Sequence, residues 1–436
     1  MRTTLKSFFA YCAVGLFTIV SFASCSSDSY INAIPGDVTA LLAVNTPKSF
    51  IDYKGVDMGS DVYLFEDADG NLGACVNLSD GDALAKYFNE QSGKGICSKV
   101  EDKRGFHFSL LSNGFLAGFS DDALLLMGPI VEADKAEYIN RMAKLLKQDE
   151  EQSVKSSRMY DALDSIEGPM RLVARVDALP QQFVTPFMLG APKTASPSQV
   201  YVMAKMKSHD GVLDMQGHTF SFNNDIETAI RNANKVYRPI KGRYINSMPQ
   251  DAMLGLFVNV DGTKFIDVMR NNQGLQAMLT GINRAIDMDN IIKSVNGDMS
   301  IVMSTYSPDR LQMSMAAQLA NSNWLSDVDY WKESAPEGST IADWGKNSYI
   351  YSDSKTTYCF GVTDDLQYYS GGNQETALNS IKPSVVPLSD NLQKMIKGQK
   401  LVMVVNLNLL TGKQGTIVQA LKPILGNVSR IMYRLD

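Results

Sequence analysis

The chain has 436 residues, of which 44% are hydrophobic and 20% are charged, and its formal net charge is −6. These fractions are ordinary for a globular protein. A chain of this length exceeds what one hydrophobic core supports, so two or more domains are expected. The acidic balance, without a basic stripe, argues against nucleic acid and anionic lipid headgroups as partners.

The N-terminus has the pattern of a bacterial lipoprotein signal. Two basic residues precede an uncharged apolar run, residues 8–22, which is shorter than the ~20 residues that a membrane-spanning helix needs. The run ends in Phe-Ala-Ser-Cys, which resembles a lipobox. We therefore predict a signal peptide over residues 1–24, cleavage between Ser24 and Cys25, lipid attachment at Cys25, and a polar tether over residues 25–33. Several acyl chains on one cysteine give stable membrane attachment. The alternative is an ordinary secretory signal with an accidental cysteine.

A repeated string follows the signal. The stretch "YINAIPGDVTALLAVN" (30–45) matches "YINSMPQDAMLGLFVN" (244–259) at eight of sixteen positions without a gap. An ordered series of such matches indicates an internal duplication. We therefore predict two homologous lobes, residues 34–240 and 241–436. Three further stretches repeat in the same order: 59–80 with 297–321, 107–128 with 349–371, and 171–177 with 400–406.

Each lobe has the same predicted elements. A Pro-x-Asp turn leads into an apolar strand, and Asn45 or Thr46 in the first lobe and Asp261 in the second begin a helix. Two β-hairpins separated by a helix follow. Because hairpins dominate and helices are few, we predict an α+β fold in which each lobe is mostly antiparallel sheet with packed helices.

The two lobes differ at their ends. The first has an additional hairpin and helix, residues 199–237, whereas the second stops after a single strand-like stretch. The strand that would pair with this stretch within the second lobe is missing. We therefore predict that residues 429–436 form an unpaired edge strand, or that the chain is shorter than its relatives.

Histidine and cysteine spacing gives little support to a metal site. None of His107, His209 and His218 lies near a second histidine or a cysteine at a zinc-ligand spacing. With Cys25 assigned to lipid, Cys75, Cys97 and Cys359 remain. Their spacing leaves a Cys75–Cys97 disulfide open, but buried free thiols are favoured.

Three acidic stretches are candidates for chemistry. "EDADGN" (66–71) suggests calcium, but the glycine comes too early for an EF-hand loop, so a hairpin turn is favoured. The pairs Asp121-Asp122 and Asp364-Asp365 occur in both lobes, and paired carboxylates can act as acid and base. Adjacent strand residues point to opposite faces, however, so a β-turn is the simpler interpretation.

Nucleotide and serine-hydrolase motifs are incomplete. "QSGKG" (91–95) lacks the upstream glycine and the downstream Ser or Thr of a P-loop, and the chain has no Gly-x-Ser-x-Gly elbow. The sequence therefore predicts no catalytic residue, no metal ligand and no cofactor.

The lipobox, the short tether and the paired starts "IPGDVTALLAVN" and "PQDAMLGLFVN" resemble a family of Bacteroidetes lipoproteins classed as a domain of unknown function. The resemblance covers nearly all of residues 25–436. It implies location and a duplicated architecture, and it carries no catalytic or ligand residue to this chain.

Surface-exported lipoproteins of this type usually have a denser acidic cluster after the cysteine than the single Asp28. We therefore expect a periplasm-facing outer-membrane protein, with surface exposure as the alternative.

Three functions remain open from the sequence. The favoured one is a non-enzymatic, membrane-anchored envelope lipoprotein whose lobes bind or scaffold another envelope protein or a glycan. The second is a hydrolase of envelope or dietary polymer that uses acids such as Asp121 or Asp364. The third is a lipid or cargo carrier, which needs a large apolar cavity between the lobes.

Overall fold

The computed structural model describes residues 28–45, 54–57, 59–276, 285–305, 313–409 and 427–436. The predicted signal peptide, Ser24 and Cys25 lie outside the described residues, as does Thr46. By compactness the chain divides into two units, Met1–Asp164 and Ser165–Asp436.

The first unit is built on an antiparallel sheet. Its strands lie in the order β1-β2-β3-β7-β6-β5-β4, and each strand runs antiparallel to its neighbour. Hairpins therefore account for most of the pairing, because short turns suffice to join antiparallel neighbours. The strands are β1 (Ala40–Asn45), β2 (Asp61–Glu66), β3 (Leu72–Asn77), β4 (Glu101–Lys103), β5 (Phe106–Leu110), β6 (Leu116–Phe119) and β7 (Ala123–Gly128).

Helices pack against this sheet. The first, α1, begins where the Asp80 carboxylate accepts the backbone N–H of Ala83 at 2.9 Å, and it contributes Leu84 and Phe88 to the core. The second helix, α2, lies against β6 and β7. The α-helices are α1 (Gly81–Ser92), α2 (Lys135–Lys147) and α3 (Arg158–Asp164), and 3-10 helices span Asp28–Ala33, Glu132–Asp134, Glu150–Gln152 and Val154–Ser156.

Part of the predicted tether is packed into the first unit. Residues Asp28–Ala33 form a 3-10 helix in which Tyr30, Ile31 and Ala33 are buried. The Tyr30 hydroxyl donates to the backbone carbonyl of Asp61 at 2.8 Å. The chain is therefore held against the fold from Asp28 onward.

The second unit contains a longer sheet. Its strands lie in the order β8-β9-β10-β19-β18-β11-β12-β13-β17-β16-β15-β14. All neighbours are antiparallel except β10 and β19, which are parallel. The strands are β8 (Met170–Arg175), β9 (Tyr201–His209), β10 (Val212–Phe220), β11 (Leu254–Asp261), β12 (Val295–Met303), β13 (Met313–Leu319), β14 (Thr340–Gly345), β15 (Ser348–Ser352), β16 (Thr357–Val362), β17 (Gln367–Gly371), β18 (Leu401–Asn406) and β19 (Arg430–Leu435).

Helices also pack against this second sheet. A 3-10 helix (Asn323–Asp327) and α8 (Val328–Glu333) stack Trp324 on Trp331, and Trp324 lies beside Phe360 of β16. Helix α9 (Gln374–Asn379) packs on β17 and β16. The α-helices are α4 (Gln181–Phe187), α5 (Asn224–Asn234), α6 (Gly262–Asn271), α7 (Met288–Lys293), α8 (Val328–Glu333), α9 (Gln374–Asn379) and α10 (Asp390–Ile396), and the 3-10 helices span Val176–Ala178, Pro197–Gln199, Ile245–Ser247, Asn323–Asp327 and Leu407–Leu409.

The prediction of an unpaired final strand is wrong. Strand β19 pairs on both sides, antiparallel with β18 and parallel with β10. Arg434 of β19 donates two hydrogen bonds to the carboxylate of Asp214 on β10, at 2.8 and 2.7 Å. The partner strand was overlooked because it belongs to the hairpin assigned to the first lobe, 220 residues earlier in the chain.

The α+β class is confirmed, since both units combine mostly antiparallel sheet with packed helices. The division by compactness follows Asp164, whereas the predicted repeat boundary follows residue 240. The hairpin β9–β10 accordingly belongs to the second compact unit. Compactness and sequence repetition are different criteria for dividing a chain. The boundary found by compactness therefore does not test the repeat boundary, which stays a prediction.

Candidate functional site

In the acidic turn at residues 66–71, which suggested calcium, backbone N–H groups and an arginine occupy the central carboxylate. Asp67 is fully buried, and its carboxylate accepts the backbone N–H groups of Asp69 at 3.0 Å and Asn71 at 2.9 Å. Arg141 of α2 lies 2.7 Å from the second carboxylate oxygen. A guanidinium therefore balances the buried charge, and the turn ties the β2–β3 hairpin to the helix.

The acid pair in the first unit lies in the turn between β6 and β7. The Ser120 hydroxyl accepts the backbone N–H groups of Asp122 at 3.2 Å and Ala123 at 3.1 Å. Asp121 and Asp122 are both exposed. A side-chain hydroxyl that closes the turn in this way explains the motif structurally, as the sequence argument favoured.

The acid pair in the second unit lies in the equivalent turn, between β16 and β17. Asp364 pairs with Lys346 at 2.7 Å and Asp365 with Arg243 at 2.8 Å. The Thr363 hydroxyl donates to the Asp365 carboxylate and, with smaller contributions from other partners, lowers its pKa. A general acid near neutral pH needs a raised pKa, so the geometry of Asp365 favours a turn-stabilising role.

The three histidines lie in separate places. His107 Nδ1 is 2.6 Å from Asp102 in the β4–β5 hairpin, His218 Nδ1 is 3.9 Å from Asp436, and His209 ends β9. Within the described part of the chain, no group of three or more His, Cys, Asp or Glu side chains is arranged to hold a metal ion.

The three described cysteines are buried free thiols. The Cys75 thiol donates to the Tyr30 carbonyl at 3.1 Å, and the Cys97 thiol donates to the Phe88 carbonyl at 3.3 Å. Burial raises the pKa of Cys75. The disulfide alternative is therefore not realised, and these thiols act as small core residues.

A buried aspartate that was not predicted from the sequence holds the backbone just before the repeated stretch 244–259. The Asp298 carboxylate accepts the backbone N–H groups of residues 241, 242 and 243 at 2.9, 2.6 and 2.8 Å. It also accepts from the Asn259 side chain, opposite it on β11, at 2.9 Å. The available signal was the repeated Asn, because Asn45 lies opposite Asp61 in the same way.

A cavity of about 200 Å³ lies between α1, the segment 96–97 and the segment 111–113 that follows β5. This cavity was not predicted from the sequence, although its lining residue Cys97 was expected to be a buried thiol. Among the lining residues, Ile96 is a large apolar side chain that stays 49% exposed. The cavity is lined by Tyr87, Phe88, Gln91, Ile96, Cys97, Leu111, Ser112 and Asn113.

Among the described residues, no helix combines the length and the apolar character that crossing a bilayer requires.

A family model described as "Domain of unknown function (DUF4836)" matches residues 48–407, well over half of the chain. The chain belongs to this family. The resemblance to a family of unknown function is therefore correct at that level. Membership of DUF4836 assigns no activity and no site residue.

Other comparisons add little to the DUF4836 assignment. No curated protein matches the chain. A solved structure described as "Structure of crystal form III of TP0453" is similar over 83% of this chain and 100% of that chain, at 8% sequence identity and a TM-score of 0.21. A similarity at this level carries no argument about fold or function.

Proposed function

We propose that this DUF4836 protein is a lipid-anchored lipoprotein of the cell envelope with a non-catalytic binding or scaffolding role. The anchor is Cys25, and the expected location is the outer membrane, facing the periplasm. Support for the anchor comes from the N-terminal sequence: basic residues, a short apolar run, two small residues and a cysteine. The packed segment from Asp28 onward would hold the folded part close to the membrane.

The observation that carries the non-catalytic role is the structural use of three acidic side chains, two of them from the acidic stretches considered for chemistry and one, Asp298, found only in the structure. Asp67 is engaged by Arg141 and by backbone amides, Asp298 by three backbone amides, and Asp365 by Arg243 and Thr363. Carboxylates whose acceptor sites are filled in this way stabilise the fold. Binding through the surface is then the simplest use of the molecule.

We also propose that residues 34–240 and 241–436 are duplicated lobes. The strand orders β1-β2-β3-β7-β6-β5-β4 and β11-β12-β13-β17-β16-β15-β14 support this proposal. So do the matching cross-strand pairs Asn45–Asp61 and Asn259–Asp298. Independent pairing of seven strands in one order by chance is improbable.

Metabolic labelling with an alkyne palmitate analogue tests the anchor in the native host. We expect the wild type to be labelled and to sediment with membranes, and Cys25→Ala to lose both properties. Cys12→Ala, a change within the predicted signal peptide, is the matched control and should retain both. Labelling that persists in Cys25→Ala would refute the anchor.

Affinity capture tests the scaffolding role. The lipidated wild type, crosslinked in its own envelope, should retain a specific envelope protein or glycan, and Cys25→Ala should retain less because it is released from the membrane. Recovery of a small molecule without any macromolecule would count against scaffolding and favour a carrier.

A further inference from the structure

We propose that the cavity beside α1 is a binding site for a small single-ring aromatic compound of the phenol class. The site lies wholly within the first unit and is lined by residues of α1, the segment 96–97 and the segment 111–113. It goes beyond the anchor and scaffold roles, since it depends on neither Cys25 nor a macromolecular partner.

The interior of the cavity suits an aromatic ring. Phe88 of α1 and Leu111 after β5 contribute apolar surface, and Cys97 lies opposite Leu111 in an isolated β-bridge. An apolar cavity of roughly 150 Å³ is large enough to bind benzene. At about 200 Å³, this one has room for a substituted ring, and it is smaller than drug-sized pockets of roughly 300 Å³ or more.

The mouth of the cavity is polar and structurally defined. Gln91 and Asn113 line it together with the exposed Ile96. The Ile96 backbone is held by two hydrogen bonds, from its own N–H to the Gln91 carbonyl at 3.3 Å and from the Ser112 N–H to its carbonyl at 2.9 Å. A ring inside and a hydroxyl at the mouth would match this division of polarity.

The second unit fills the corresponding position with larger side chains. Where Cys97 lies opposite Leu111 in the first unit, Ile341 lies opposite Tyr351 in the second. Both of these larger side chains are buried. The space beside α1 is therefore not a requirement of the strand order, because the same order accommodates a filled core.

The neighbouring cross-strand pair shows the same difference. In the first unit, Ser109 lies opposite Ala117, next to the pair that contains Gly118. In the second unit, Tyr349 lies opposite Phe360, next to the pair that contains Gly361. Small side chains in the first unit thus stand where the second unit has two aromatic rings, so the strands around the cavity fill less of the core than their counterparts do.

Titration of the full-length protein with 4-methylphenol, followed by calorimetry, tests the proposal. We expect saturable binding that falls at least about tenfold, or roughly 1.4 kcal/mol, in Leu111→Tyr or Cys97→Ile, which copy the second unit. Leu110→Tyr is the matched control: it changes the adjacent residue, which points to the opposite face, and should keep the wild-type affinity.

Thiol reactivity gives an independent readout. Saturating 4-methylphenol should slow the reaction of Cys97 with methyl methanethiosulfonate, measured by peptide mass spectrometry, and leave the fully buried Cys75 and Cys359 unchanged. If Leu111→Tyr and Cys97→Ile fail to fold, Ile96→Ser at the exposed mouth should still weaken binding several-fold. Absence of saturable binding, unchanged affinity in the folded cavity variants, or an unprotected Cys97 would each overturn the proposal.

Discussion

The strands β1–β7 and β11–β17 share one order but enclose different cores. In the first, Leu84 and Phe88 of α1 face Ala117 and Leu124. In the second, Trp324 stacks on Trp331 with ring centroids 6.1 Å apart and contacts Phe360 and Tyr368. The same strand order therefore tolerates large changes in side-chain size, provided that the apolar residues stay on the same faces.

The two regions also differ in how strongly their polar pairs are buried. Asn259 and Asp298 are both buried, and Asp298 is hydrogen-bonded to three backbone amides. At the corresponding pair Asn45 is exposed and Asp61 is half-buried. The Asn259–Asp298 pair is therefore expected to contribute more to stability than the Asn45–Asp61 pair.

The largest expected effect comes from the aromatic core of the second unit. Trp324→Ala removes a fully buried ring and should lower the free energy of unfolding by about 4 kcal/mol. All three tryptophans (324, 331 and 344) lie in the second unit, so the fluorescence of the remaining two reports its unfolding in urea. Tyr330→Ala, at a 69% exposed residue, should change the free energy of unfolding by no more than about 0.5 kcal/mol. A small loss in Trp324→Ala would contradict the aromatic-core description.

The final strand has no counterpart in the β1–β7 region, and its ion pair offers the next largest effect. Arg434→Met leaves Asp214, which is 2% exposed, without its bidentate partner and should cost about 3 kcal/mol. The double variant Arg434→Met/Asp214→Leu should recover most of that loss, measured by the same urea unfolding. Equal losses in the single and double variants would show that the strand depends on the pair itself.

Asp298, the buried aspartate opposite Asn259, is expected to give the next largest effect. Asp298→Ala leaves three backbone N–H groups without their acceptor and should lower the free energy of unfolding by about 2 kcal/mol. Asp61→Ala, at the matching position of the first unit, should cost less because Asp61 is half-buried. Circular dichroism follows both variants in urea, since the first unit has no tryptophan. A larger loss in Asp61→Ala would reverse the expected ranking of the two Asn–Asp pairs.

The smallest expected effect is a pH dependence in the first unit. The Gly59 N–H, the Ser60 hydroxyl and the Asn77 side chain donate to Asp57 and lower its pKa. The folded pKa then lies below the unfolded value of about 3.9. The contribution of Asp57 to stability is therefore complete above that value and is lost as the pH falls through the folded pKa.

Asp57→Asn should accordingly be less stable than the wild type at pH 6, and the difference should shrink as the pH falls below 4. Thermal unfolding across this range measures the difference. Asp365→Asn in the second unit, where the carboxylate is exposed, should show a weaker dependence of the same sign. A difference that grows on acidification would contradict the assigned pKa direction.

Much of the fold was accessible from the sequence because it rests on local patterns. Alternating apolar residues and turn signals predicted the hairpins and the α+β class, and the Ser/Thr-Asp-Asp turns were interpreted correctly as turns. Burial of Cys75, Cys97 and Cys359 followed from the ordinary behaviour of free thiols. The duplicated lobes and the anchor at Cys25 remain predictions.

The long-range features were not accessible in the same way. The parallel pairing of β19 with β10 joins residues about two hundred positions apart, and hydrophobic periodicity carries no information about which distant strand is the partner. The clamp at Asp298 and the guanidinium beside Asp67 likewise depend on groups from separate elements. The candidate cavity depends on differences in side-chain size across facing strands, which become meaningful only once the register is known.

By itself, the sequence determined the class of this protein, its family and the local elements, because turn chemistry and apolar alternation act over a few residues. Tertiary structure alone decided the place of the final strand, the partners of the buried acids and the cavity beside α1. Those features arise where elements far apart in the chain meet, and the packing of their side chains selects which contacts form.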